Sequence, residues 1–212
     1  MGFKEECLMT KIFYLLTLLT LLLSCTSEAK KSFTVEEMIY PANLQVIKRA
    51  EWGWKSLPDT LPQHKIERIT IHHGGVEFTE GKDVQAYIRN MQDWSRADKN
   101  WIDIPYHFMI DLQGIIYEAR PINYPGDTNT DYDVRSHALI NVMGNYEIQT
   151  LKPVQLDALI NLSAYLAGQF QVDTTDIRGH KDYTETLCPG KDLYQYVQDG
   201  IIRQRVVDLL KK

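Results

Sequence analysis

The 212-residue chain contains only three cysteines, at Cys7, Cys25 and Cys188, too few and too scattered for a scaffold stapled by disulfides. A basic excess is also missing, since 23 Lys and Arg stand against 28 Asp and Glu, giving a net charge of −5. Nucleic-acid binding needs a basic footprint to displace counterions, so no nucleic acid is expected as a partner. The longest apolar run, Ile12–Leu23 (IFYLLTLLTLLL), is too short for a stable bilayer-spanning anchor. No internal repeat is visible. What remains is a globular balance, 44% apolar and 24% charged, which suits one packed domain with a short appendage.

The apolar run follows Lys11 and ends at Ser24-Cys25, the make-up of a signal-peptide core. Leu22-Leu23-Ser24-Cys25 resembles the lipobox of bacterial lipoproteins. That resemblance implies cleavage before Cys25, acylation of Cys25 and attachment to a membrane, each buried methylene contributing about 0.8 kcal/mol. Residues 1–24 are then the signal, 25–45 the lipidated N-terminus and tether, and 46–212 the working domain of an exported protein of the bacterial cell envelope. Glu5 and Glu6 lie where a signal calls for positive charge, so Met9 makes the better start. Cys188 is left alone in the domain, a liability in an exported protein unless something such as a metal occupies it.

Periodicity predicts a mixed α/β domain. Ile66–Ile71 (IERITI) reads as a strand, and Val84, Tyr87, Ile88, Met91 and Trp94 recur at helical spacing within Lys82–Arg96. Tyr106–Asp111 and Ile115–Ala119, joined through Gly114, read as a hairpin. Ala138–Met143 reads as a further strand, Pro153 opens a helix that runs to Phe170, and Leu193–Leu210 is helical with a break at Gly200. Strands interleaved with helices predict a central mixed β-sheet flanked by helices, in a single domain.

Three segments carry potential chemistry. In Ile69-Thr70-Ile71-His72-His73-Gly74-Gly75 the strand alternation puts His72 with Thr70 on one face and His73 with Ile69 and Ile71 on the core face, favouring His72 as a ligand. Arg178-Gly179-His180-Lys181-Asp182 leads shortly to Cys188-Pro189-Gly190, placing a histidine and a thiol within reach of one ion. Zinc accepts imidazole and thiolate together, and three protein ligands leave the open position of a catalytic site. The third segment is Pro105-Tyr106-His107-Phe108 with Asp111 and Gly114.

The ordered set resembles the type 2 amidase family, which includes phage lysozyme-like amidases and the animal peptidoglycan recognition proteins. Arg49-Ala50-Glu51-Trp52-Gly53 resembles the entry motif of the second branch, and the resemblance spans about residues 46–196. It implies one zinc ion held by His72, His180 and Cys188, with Tyr106 beside it as a catalytic group. Thr186, in a position where phage members carry lysine and recognition proteins threonine, joins Tyr106 as the second catalytic candidate. It also implies hydrolysis of the amide between N-acetylmuramic acid and L-alanine, with peptidoglycan or muropeptides as partner. Trp101 is expected in the wall of a substrate groove, and Trp52 and Trp54 in the core. Family members have a longer segment between a His-Ala element and the strand ending in Gly-Asn. Here His137-Ala138 stands close before Gly144-Asn145, so a loop is expected to be missing and with it some of the contacts to sugar and stem peptide, while His137 itself is expected, with Trp101, to bind substrate. Asn141 occupies the strand position where a cytosolic branch carries a glutamate base. The alternative reading is a peptidoglycan-binding lipoprotein that does not cut, against which Cys188 argues, because non-catalytic receptors of the branch typically lack it.

Overall fold

The computed structural model describes residues 35–58 and 61–212. The expected signal, the Met9 start and Cys25 lie outside these residues.

A sheet of six strands runs through the domain in the order β1-β4-β3-β5-β2-β6. Its strands are β1 (Val46–Ile47), β2 (Arg68–His73), β3 (Phe108–Ile110), β4 (Ile116–Glu118), β5 (His137–Val142) and β6 (Ile177–Gly179). Only β3 and β4 pair antiparallel, as the expected hairpin; β1 with β4, β3 with β5, β5 with β2 and β2 with β6 are parallel. Gly114 takes φ 77° in the hairpin turn, and a Cβ there would stand 2.6 Å from the Val154 carbonyl oxygen. The sheet is therefore mixed, as predicted.

Among the described residues five α-helices cover it: α1 (Arg49–Trp52), α2 (Val84–Ala97), α3 (Pro153–Phe170), α4 (Lys191–Gln198) and α5 (Ile201–Leu210). The Asp83 carboxylate accepts from Ala86 N at 2.9 Å and caps α2, while Pro153 opens α3. Gly200, at φ 72°, separates α4 from α5 where the break was expected.

Alternation along the strands sorts the core into two layers. Ile69, Ile71, Phe108, Ile110, Ala138, Ile140 and Val142 pack with Leu159, Leu193, Ile202 and Val206 of α3–α5. On the other side Met109 packs with Trp52, Ile88, Ile104 and Met143. Trp52 is fully buried, as expected, and its Nε1 donates to the Glu118 carbonyl at 2.6 Å; Trp54 is half-buried and donates to Asp103 Oδ2 at 2.8 Å.

One expectation needs correction. The tether assigned to 25–45 does not extend to residue 45: Met38 and Leu44 are buried in the core, and the Tyr40 hydroxyl donates to Glu118 Oε1 at 2.6 Å. The apolar stripe of α2 divides between core and cleft: Ile88 is buried, while Met91 and Trp94 line an open cleft. Trp94 is 42% exposed.

Candidate metal centre

The cleft, of about 280 Å³, opens where parallel strands end. Ligands of open α/β sheets gather outside the carboxyl ends of their strands. His72 lies near the end of β2, and the pairing of Ile71 with Gly179 puts His180, the residue after β6, beside it. The ring centroids of His72 and His180 are 4.4 Å apart. Cys188 follows on a loop closed by a bond from Lys181 N to the Cys188 carbonyl at 3.0 Å. One ligand atom each of His72, His180 and Cys188 lie within 4.8 Å of one another.

Each member leaves a coordinating atom available. His72 Nδ1 stands 3.6 Å from Cys188 Sγ. His180 Nε2 is engaged by Thr130 Oγ1 at 2.7 Å, whereas His180 Nδ1 is buried without a partner. An orphaned imidazole nitrogen beside a thiol and a second imidazole is the arrangement that a zinc ion would satisfy, so these residues fit the metal. Burial keeps His72 neutral, its pKa pushed well below the usual histidine value with help from His180 and His137. Burial, then His73, lowers His180 to about 4. Burial also raises the Cys188 thiol to about 12, against the backbone N–H of His73, which donates to Sγ at 3.4 Å. A dicationic ion supplies the positive charge that would draw that proton off.

His73 turns to the other face, where its Nδ1 accepts from Tyr146 N at 3.2 Å. His107 is structural: its Nε2 bonds the Tyr124 carbonyl at 2.9 Å and its Nδ1 accepts from Leu139 N at 2.8 Å.

Tyr106, Thr186 and Trp101 all line the cleft. The Tyr106 ring lies 5.3 Å from that of His72, and burial followed by Cys188 raises its hydroxyl pKa well above the tyrosine range. Thr186 Oγ1 accepts from Cys188 N at 3.2 Å, which leaves its hydroxyl proton to point elsewhere. Trp101 meets Trp94 edge to face at 6.0 Å, and Lys99 lies over both rings.

His137 is not brought to the cleft. It is buried at the start of β5, its Nδ1 bonded to Thr70 Oγ1 at 2.7 Å. A polar loop stands before it in the chain: Asp127, Thr128, Asn129 and Thr130 line the cleft, and Tyr132 OH lies 3.3 Å from His72 Nε2. Gly126 opens this loop at a point where a Cβ would stand 2.4 Å from the Pro105 carbonyl oxygen. Arg120, fully buried, holds the loop by pairing with the Asp127 carboxylate while donating to the carbonyls of Ile104 at 2.8 Å and Asp103 at 2.9 Å. None of these residues carries a periodic signal; a polar stretch rich in Asp, Thr and Asn was the sole cue.

The chain is similar to several known proteins. Residues 62–191 match the family described as N-acetylmuramoyl-L-alanine amidase. Peptidoglycan recognition protein 1 of Mus musculus is 30% identical over 159 residues, covering 72% of this chain and 86% of that protein. The crystal structure of Drosophila peptidoglycan recognition protein SD superposes with a TM-score of 0.65 at 25% identity, covering 73% of this chain and 94% of that one. A second structure, tracheal cytotoxin bound to the ectodomain complex of peptidoglycan recognition proteins LCa and LCx, gives 0.65 at 27% identity, covering 73% and 95%. The chain belongs to the N-acetylmuramoyl-L-alanine amidase family, together with the peptidoglycan recognition proteins.

Proposed function

We propose that this protein is a zinc-dependent amidase that hydrolyses the bond between N-acetylmuramic acid and L-alanine in peptidoglycan, exported as a lipoprotein anchored through Cys25. The observation that carries the reading is the triad His72, His180 and Cys188 at the floor of an open cleft. Three protein ligands suit a catalytic zinc, since structural zinc sites close with four.

Zinc held there supplies a Lewis acid for the amide carbonyl and makes water a nucleophile near neutral pH. Tyr106 keeps its proton because burial raises its pKa, so its hydroxyl can donate a hydrogen bond to negative charge developing on the carbonyl oxygen. Thr186 can donate into the same space, its oxygen being already fixed by Cys188 N. The Trp94 and Trp101 rings and Met91 form an apolar wall for the sugar and stem peptide, opposite the polar loop 127–130. That a relative's structure contains tracheal cytotoxin supports a muropeptide-sized ligand for this cleft.

The test begins by stripping metal from the full chain with a chelator and restoring zinc. One zinc per chain, with solubilisation of purified sacculi lost on stripping and regained on reloading, is the expected result. Sedimentation with sacculi and no release in either state would make the protein a binding module instead.

A further inference from the structure

An imidazole that ligates through one nitrogen must place the proton of its other nitrogen somewhere. His72 presents Nδ1 towards Cys188 Sγ at 3.6 Å and Nε2 towards the Tyr132 hydroxyl at 3.3 Å. His180 leaves Nδ1 buried and unpartnered and puts Nε2 2.7 Å from Thr130 Oγ1. The two rings are thus oriented alike, and both outer nitrogens meet hydroxyls from the same short segment.

That segment is itself held. Thr130 N donates to Thr128 Oγ1 at 3.1 Å, and the two threonine hydroxyls are 2.8 Å apart. The Tyr132 ring stacks on Tyr183 at 5.6 Å and 14°, and meets His137 edge to face at 5.6 Å. His137 is bonded to Thr70, which shares the strand and face of His72. Removing a partner of a ligating histidine typically costs about 10- to 100-fold in metal affinity.

We propose that Thr130 and Tyr132 are positioning residues for the metal ligands, accepting from Nε2–H of His180 and His72 so that both Nδ1 atoms are unprotonated and aimed at one point. The inference rests on the zinc centre proposed above and assigns His137 and Tyr183 the task of orienting Tyr132. Thr128 and Thr130 also line the cleft, so the same segment serves the ligands and one wall of the substrate groove.

The test is zinc affinity of the full chain, measured by competition with a chromogenic chelator, beside the melting temperature of the zinc-free protein. Thr130→Val, which keeps the shape and loses the hydroxyl, should weaken zinc binding about tenfold or more, and Thr130→Ser should restore it to within about twofold. Tyr132→Phe should weaken it less, its contact being the longer one. The zinc-free melting temperature should not move in any of the three. Wild-type affinity in Thr130→Val, or a loss that Thr130→Ser does not rescue and that follows a fall in zinc-free stability, would overturn the positioning role. A wild-type chain that binds no zinc would overturn the metal centre and this inference together.

Discussion

Asn141 sits within β5, opposite His72 on β2 and Met109 on β3, with no exposed surface. Neither its Oδ1 nor its Nδ2 has a hydrogen-bond partner. The Tyr106 hydroxyl lies beside the amide, and the contact opposes the rise that burial imposes on its pKa, yet no bond of full geometry forms. An unsatisfied buried polar group costs about 1–3 kcal/mol. Asn141→Val removes both atoms and places a β-branched residue in a buried strand, while the small void left behind takes back about 1 kcal/mol. A net gain of about 1 kcal/mol should raise the melting temperature by about 2–4 °C for a domain of this size. Turnover should nevertheless fall by about tenfold, equivalent to about 1.4 kcal/mol, because the Tyr106 hydroxyl, beside the amide but not bonded to it, is left facing an apolar side chain. Thermal denaturation of the zinc-free protein and initial rates on muropeptides read the two effects separately. A variant that melts lower and turns over normally would refute the reasoning, since it would mean that the amide is bonded in the fold and idle in the reaction.

Three further outcomes are expected. Arg120→Met removes the partner of Asp127 and strands the three carbonyls of Asp103, Ile104 and Pro125, so the protein should lose about 3–5 kcal/mol, read as a fall of about 10 °C or more in melting temperature. Tyr106→Phe should lower turnover by about 100-fold with zinc content unchanged, as loss of one donor to a developing oxyanion does; unchanged turnover would remove Tyr106 from the reaction. Stability should also fall on acidification. Burial lowers the pKa of His137 to about 4 and holds that of His107 well below the usual histidine value, whereas both titrate near 6.5 when unfolded. Between these values the unfolded chain binds more protons than the folded one, so stability is lost as the pH drops from about 6.5 towards 4. Denaturation midpoints should decline across that window, and less steeply in His137→Gln; a flat profile would contradict the assignment.

How much of this was legible follows from the kind of signal each residue carries. Period-two alternation separates His72 from His73 in the sequence itself, because one face of β2 is apolar and the other is not. Pro153, Gly114 and Gly200 marked their boundaries through backbone constraints that act locally. β1 and β6 span two and three residues, too short for any period to show. Trp94 recurs at helical spacing with the buried Ile88, but it lines an open cleft, and helical period does not distinguish a core from a cleft. His137 was assigned to substrate on a dipeptide resemblance, whereas the strand begins at that residue and the cleft-lining loop precedes it. Thr130 and Tyr132 act through contacts of large sequence separation, which a linear reading of polar loop residues does not reveal.

The most direct test of the central claim is mass spectrometry of purified peptidoglycan incubated with the zinc-loaded chain and, in parallel, with Cys188→Ser. The account predicts free stem peptides with L-alanine at their amino terminus from the wild type and none from the variant. Intact muropeptides in both digests, or cleavage at any other bond, would contradict it.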